Sequence, residues 1–307
     1  MNPQTEQLLG TLELLRNNPF VWENSIKGKL CLWNLMISQG FVNLTDLELA
    51  FAHWQNIEEW GTPTNQAEND YEYAPTRSKR KNDNWDEIIA KERKNYYQQL
   101  LQLITNKLQN IQAYNLSIPK TNHLNFEFGG QLDFSVSIVV AQTSATSWLC
   151  FAPTVPNQVD YYGRTKKNST KEQTIIQSVE LGSETKQITA KIQPILDKIT
   201  PILIYEYYHG GYNGTYQHRI VSAIAETKES AIALALQNTE MVAIEKTTVG
   251  FPGERNPQLD QFMNTCLRDR TIYDLSFWDM GYTYDLGQTP TGDWIGTRYQ
   301  KEFEYNP

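Results

Sequence analysis

Apolar residues between Trp85 and Ile111, Ile88 among them, recur at the spacing of one face of a helix. This pattern predicts the longest helix of the chain over that segment. Asp83 or Asn84 is placed to cap its beginning, because carboxylate and amide oxygens accept hydrogen bonds from the first N–H groups of a helix. Residues 4–60 show shorter stretches of the same spacing. The N-terminal part of the chain is therefore predicted to be mainly helical.

Alternating apolar and polar residues follow the long helix and predict strands. In the second half, helical and strand-like patterns alternate, and Asn213–Gly214 has the composition of a tight hairpin turn. The pattern predicts an α+β fold in which small mixed sheets are sandwiched by helices. The predicted strands are 113–117, 132–140, 148–155, 202–208, 216–225, 271–276, 281–287 and 294–303, and the later helices are 185–199 and 227–237.

The length of 307 residues exceeds what one hydrophobic core usually serves, so we expect two domains. The polar stretch 156–175 has little apolar periodicity and is the best candidate for a linker. We predict an α/β domain with a helical N-terminal segment over residues 1–160. A second α/β domain is predicted over residues 175–307.

Charge and composition exclude several classes of function. With a net charge of −8 and a pI near 5.2, the chain lacks the clustered basic residues that bind nucleic acid, and an acidic protein suits a basic protein partner. No apolar run is long enough to span a bilayer and the first residues do not resemble a signal peptide, which predicts a cytoplasmic protein without membrane contact. The three cysteines form neither a disulfide framework nor a zinc pattern, so no metal or cofactor is expected.

One set of residues on the predicted long helix and the strand after it has a characteristic spacing: Trp85, Gln98, Leu100, Leu101, Ile104, Leu108, Asn110, Tyr114 and Leu116. With these residues the segment 83–155 resembles the nuclease A inhibitor family. The resemblance continues through Leu132–Asp133 and the hairpin 140–155, after an insertion at 119–130, and returns at the closing hairpin 287–296. It implies a small sheet sandwiched by helices, and a protein that blocks a non-specific DNA/RNA nuclease by occupying its active-site cleft.

Short motifs of the first half recur in the second half. The sequence Tyr114–Ser117 (YNLS) returns as Tyr273–Ser276 (YDLS). The residues Gln142, Thr143 and Trp148 return with the same spacing as Gln288, Thr289 and Trp294. This recurrence leads to the hypothesis that the second domain is a degenerate copy of the first.

The resemblance also indicates where a partner would bind. In the family, an acidic residue beside a tryptophan at the start of the long helix reaches, together with the end of the chain, toward the metal of the nuclease. Here Asn84 precedes Trp85, so the acidic residue is displaced or replaced. An alternative role for Trp85 is to pack the start of the helix as a hydrophobic residue. The predicted partner-binding residues are Asp83, Asn84, Trp85, Asp86 and Glu304.

The function that we predict is that of a non-catalytic protein-binding protein, with a nuclease as the implied partner. Two alternatives stay open. One is an enzyme or metal site on the aromatic hairpin, since a turn at Asn213–Gly214 would place His209 opposite His218. The other is a structural subunit of a larger assembly, because interfaces are often rich in Tyr and Trp. The enzyme alternative would use Tyr207, His209, Tyr212, His218 and Glu206.

Overall fold

The computed structural model of the protein describes residues 1–16, 19–60, 85–119, 135–154, 175–208, 212–250, 256–277 and 280–301. Its helices are α1 (Pro3–Leu15), α2 (Asn24–Lys27), α3 (Leu32–Ser38), α4 (Leu47–Trp60), α5 (Glu87–Lys107), α6 (Ser183–Leu196), α7 (Lys228–Asn238) and α8 (Pro257–Cys266). Its strands are β1 (Phe20–Trp22), β2 (Val42–Thr45), β3 (Gln109–Ser117), β4 (Ser135–Ser144), β5 (Ser147–Pro153), β6 (Ile176–Gln177), β7 (Ile202–Tyr208), β8 (Tyr212–His218), β9 (Ile220–Ala225), β10 (Val242–Lys246), β11 (Arg268–Phe277), β12 (Met280–Gln288) and β13 (Trp294–Lys301). The predicted α+β class is confirmed. Within these ranges every helix is too short or too polar to cross a membrane.

The larger sheet has the strand order β2-β3-β4-β5-β9-β6, and β6 runs parallel to β9 while the other neighbours are antiparallel. Trp54 of α4, Tyr97 of α5 and Ile192 of α6 belong to one core cluster with Leu149 and Phe151 of the sheet. Helix α7 contacts β4, β5 and β9, and its buried residues lie outside that cluster, which places it on the opposite face. Helices therefore cover both faces of this mixed sheet.

The second sheet has the strand order β10-β11-β12-β13-β1. Leu12 of α1 packs with Leu259 and Met263 of α8 against Ile295 of β13. A separate two-stranded sheet consists of β7 and β8. The second sheet therefore has a core of its own, to which α1 and α8 contribute.

The two compact units do not follow the linear division predicted at residues 160–175. Unit 1 consists of Met1–Ser38 with Val242–Ser276 and Met280–Glu302, and unit 2 consists mainly of Gln39–Met241. The physical reason is strand pairing, because β1 hydrogen-bonds to β13 and β9 hydrogen-bonds to β5. Each sheet thus contains a strand from the other side of the predicted division.

The recurring motifs occupy the same positions in the two sheets. Tyr114 on β3 lies opposite Leu44 on the edge strand β2, and Tyr273 on β11 lies opposite Ile244 on the edge strand β10. The pair Gln142 and Trp148 joins β4 to β5, and Gln288 and Trp294 join β12 to β13. Register is a demanding criterion, since a slip of one residue would turn every side chain to the other face. The strands β2 to β5 therefore correspond to β10 to β13.

The connections between the elements correspond as well. Helices α3 and α7 are each followed by a residue of positive φ, Gly40 at 81° and Glu240 at 65°. The first residues of β3 and β11 include Asn110 at a φ of 48° and Asp269 at 50°. Positive φ is uncommon outside glycine, so its return at matching places supports the hypothesis of two copies.

Helices α1 and α6 occupy corresponding places in the two copies. Each has a buried threonine in its first turn that hydrogen-bonds to a hairpin of the sheet that it covers. The Thr5 hydroxyl donates to Asp293 Oδ2 at 2.9 Å, in the turn between β12 and β13. The Thr185 hydroxyl is hydrogen-bonded to Thr143 Oγ1 at 3.2 Å and donates to Ser144 Oγ at 3.3 Å, at the turn between β4 and β5. Residues 3–153 and 183–301 are called the first and second copy below, and the first elements of each copy complete the sheet of the other.

Candidate functional site

The predicted partner-binding tip lies at the start of α5. Asp86 is the N-cap, and its carboxylate accepts the N–H of Ile89 at 2.7 Å. Trp85 is half-buried and packs with Ile89 against Ile57 and Ile202. The indole therefore packs the start of the helix onto the core, which is the alternative role for this residue, while part of its surface stays exposed.

Ile88 lies outside the buried face of α5, contrary to the sequence pattern, which places it on that face. The buried residues of this helix are Arg93, Tyr97, Leu100 and Ile104, at intervals of three or four. Extending that stripe toward the N-terminus reaches Ile89 and leaves Ile88 on another side of the helix. Its side chain is 71% exposed. The tip consequently presents an apolar residue, which the intervals of the buried stripe could have identified.

The other predicted tip residues are partly outside the described ranges. Asp83, Asn84 and Glu304 lie there. Within them, the exposed residues Asp86 and Glu87 directly precede Ile88. The described tip therefore consists of a half-buried indole, two exposed acidic residues and an exposed apolar side chain.

The hairpin alternative depended on a register that the structure does not have. Strand β7 pairs with β8 so that Tyr208 faces Tyr212 and His218 faces Ile202. Asn213 and Gly214 therefore lie within β8, and the turn predicted there is wrong. His209, outside the described residues, is thus not the cross-strand partner of His218.

The surroundings of His218 make it a neutral, buried side chain. Its Nδ1 is hydrogen-bonded to the carbonyl of Thr154 at 3.1 Å. Burial lowers its pKa to about 3, and the nearby Arg93 and His53 act in the same direction. In the described part of the chain, no group of three or more His, Cys, Asp or Glu side chains could hold a metal ion. Glu206 and Tyr207 face Gly214 and Asn213 along the β7–β8 ladder.

A buried ionic cluster in unit 2 was not identified from the sequence. Arg93 Nε donates to Glu58 Oε2 at 2.8 Å, a second guanidinium nitrogen donates to Glu58 Oε1, and Nη1 donates to the carbonyl of Thr200 at 2.7 Å. The Tyr97 hydroxyl also donates to Glu58 Oε1, at 2.5 Å. The two oxygens of this fully buried carboxylate thus accept three hydrogen bonds.

The protonation states of this cluster suit a structural role. Burial would lower the pKa of Arg93, but hydrogen bonds and the charge of Glu58 outweigh it and raise that pKa. Burial, and then the charge of Glu58, raise the pKa of Tyr97 well above its usual value. Both groups therefore remain donors at neutral pH, and the cluster satisfies its own charges while joining α4, α5 and the segment before β7.

Unit 1 contains a cluster of the same type at a different place. Arg270 of β11 donates to both carboxylate oxygens of Asp285, at 2.8 and 2.6 Å, and to Asp260 Oδ1 at 2.7 Å. The N–H of Gly250 donates to the same oxygen of Asp260 at 2.8 Å. A Cβ at Gly250 would lie 2.8 Å from it, so a larger residue there would displace the carboxylate of Asp260. This second cluster also uses its charges to join elements of the fold.

The three cysteines are free, and Cys150 is fully buried. Burial raises the pKa of its thiol, which keeps it protonated and unreactive.

Comparisons of the chain with models of known protein families, with curated proteins and with solved structures find no match. The resemblance to the nuclease A inhibitor family therefore stays a prediction.

Proposed function

We propose that the chain is a non-catalytic, cytoplasmic protein that binds a protein partner through the N-terminal tip of α5, and that a non-specific nuclease is the first partner to test. The observation that carries the proposal is the exposure of Ile88, 71%, beside the half-buried Trp85. Large apolar side chains exposed next to an aromatic ring are typical of the residues that dominate protein interfaces.

The charges around the tip indicate the kind of partner. Asp86 and Glu87 are exposed next to Ile88 in a chain of net charge −8. Opposite charges steer association and disfavour wrong partners. The tip therefore suits a basic surface that surrounds an apolar pocket, and a basic surface is typical of the cleft of an enzyme that binds nucleic acid.

The buried clusters favour binding over catalysis. A catalytic acid or base needs a position from which it can reach substrate. Glu58 and Asp285 are instead fully buried and hydrogen-bonded to Arg93 and Arg270. These two buried ionic clusters of the described residues therefore stabilise the fold and do not face a substrate.

The experiment titrates a purified non-specific DNA/RNA nuclease with the full chain and measures both binding and residual nuclease activity. We expect saturable binding, inhibition at stoichiometric protein, and at least a tenfold weaker affinity for Ile88→Ser. Ile26→Ser is the matched control, since Ile26 is 73% exposed on α2. Trp85→Ala is less suitable because Trp85 also packs against Ile57.

The two parts of the proposal fail separately. A wild-type chain that neither binds nor inhibits the nuclease would exclude that partner. Binding that Ile88→Ser and Ile26→Ser reduce equally, or not at all, would exclude the tip of α5 as the contact.

A further inference from the structure

The correspondence of the two copies identifies one sheet edge that β6 covers in unit 2 and that no strand of the described residues covers in unit 1. In unit 2, Ile224 of β9 faces Leu149 of β5, and in unit 1, Val21 of β1 faces Ile295 of β13. Because the strand ends Trp148 and Trp294 correspond, Val21 occupies the place of Ile224.

Strand β6 covers that place in unit 2. Ile176 and Gln177 pair in parallel with Ala223 and Ile224, and the N–H of Ser178 donates to the carbonyl of Ile224 at 3.1 Å. In the described residues of unit 1, β1 is the outermost strand of its sheet. The carbonyl of Val21 corresponds to that of Ile224, which is the acceptor that β6 uses.

The apolar side chains next to this edge are also more buried in unit 2 than in unit 1. In unit 2, Ile175 and Val179, on either side of β6, pack against the core cluster that includes Ile188 of α6, and Ile188 is buried. The corresponding residue of α1, Leu8, is half-buried, as is Val21. The flank therefore retains partly exposed apolar surface where β6 and its neighbours would lie.

We propose that the edge formed by β1 and the flank of α1 binds an extended strand of a partner protein, parallel to β1, in the position that β6 has in unit 2. The occupant has the chemistry of the β6 segment: its backbone pairs with Val21, and apolar side chains before and after the paired residues cover Leu8. Addition of a strand to an open sheet edge is a common mode of peptide recognition. The proposal does not depend on the tip of α5, which belongs to unit 2.

The test uses the full chain and a fluorescent peptide with the sequence of residues 175–181 (IIQSVEL). Fluorescence polarisation should give saturable binding, weakened at least tenfold by Leu8→Glu. Leu14→Glu is the matched control on α1, because Leu14 is 89% exposed. A peptide with proline at the position of Ser178 should also bind at least tenfold more weakly, since proline removes the N–H that donates to the carbonyl of Ile224 in unit 2. That peptide keeps the test valid if Leu8→Glu fails to fold.

Hydrogen exchange locates the peptide. We expect added protection of the amides of residues 20–22. The absence of saturable binding would overturn the proposal. Equal binding of the proline peptide, or changed protection at residues 220–225 instead, which would indicate displacement of β6, would overturn it as well.

Discussion

Unit 1 and unit 2 share the register of two strand pairs, β2–β3 with β10–β11 and β4–β5 with β12–β13, and each has a buried threonine in the first turn of a covering helix. They nevertheless bury their charges in different ways. In unit 2 the cation is Arg93, on a helix, and its carboxylate is Glu58 on the helix before it. In unit 1 the cation is Arg270, on a strand, and its main carboxylate is Asp285 on the next strand. The two units thus share strand pairing but not their buried ionic networks. Strand register depends on the turns and on the alternation of apolar and polar side chains, and it is compatible with many different sets of core residues.

The largest expected effect comes from opening these clusters. Arg93→Leu leaves the Glu58 carboxylate buried without its cation, and Arg270→Leu does the same to Asp285, so each should lower the free energy of unfolding by about 3–5 kcal/mol. Urea unfolding combined with segment-resolved hydrogen exchange should assign the first loss to unit 2 and the second to unit 1. Lys246→Ala is the control, because Lys246 pairs with Asp269 at 3.2 Å on the surface and should change stability by less than about 1 kcal/mol. A comparably small loss for Arg93→Leu would contradict a structural role for its cluster.

A smaller effect separates the units by pH, because all four histidines of the chain lie in residues 39–241. The pKa of His218 is about 3 in the folded state, against the ordinary histidine value of 6.5 in the unfolded chain, so only the unfolded state gains this proton between those values. Stability is therefore greatest above pH 6.5 and falls as the pH drops toward 3, with a loss of about 2 kcal/mol at pH 5. Burial also lowers the pKa of His53, which adds to the same trend.

Segment-resolved hydrogen exchange at pH 7 and pH 5 checks this effect after correction for the intrinsic exchange rates. Unit 2 should lose more protection than unit 1, and His218→Gln should reduce the difference. If both units lost the same protection, the burial of a neutral His218 would not be a feature of unit 2 in solution.

Local pattern predicted much of the fold. The helix around Leu100 and the strand around Tyr114 follow from periodicity. The predicted cap, Asp83 or Asn84, was wrong, because α5 begins at Glu87 and its N-cap is Asp86. The recurrence of Tyr114 and Trp148 as Tyr273 and Trp294 indicated the correspondence of the sheets before any register was available.

The rest depends on contacts that local sequence does not specify. Nothing in the three residues of β1 indicates which sheet they join, so the linear division at 160–175 placed β1 with the wrong strands. Asn213 and Gly214, which have the composition of a tight turn, lie instead within β8. The charge on Arg93 is visible on the buried stripe of α5, but its partner Glu58 lies on another helix. Ile88 was misplaced because two adjacent isoleucines cannot both lie on a narrow stripe.

Strand β1 belongs to the first copy but pairs with β13 of the second copy. An engineered disulfide tests this exchange most directly. Facing residues of antiparallel strands have Cα atoms about 4.5–5.5 Å apart, which a disulfide can span. In a chain with Cys31, Cys150 and Cys266 replaced by alanine, Val21→Cys with Ile295→Cys should form an intramolecular disulfide, identified by mass spectrometry of the non-reduced digest. Without exchange, β1 would pair inside the first copy, and Val21→Cys with Leu149→Cys would form the disulfide instead. A link from residue 21 to residue 295 is the result that we predict, and a link from residue 21 to residue 149 would contradict the exchange.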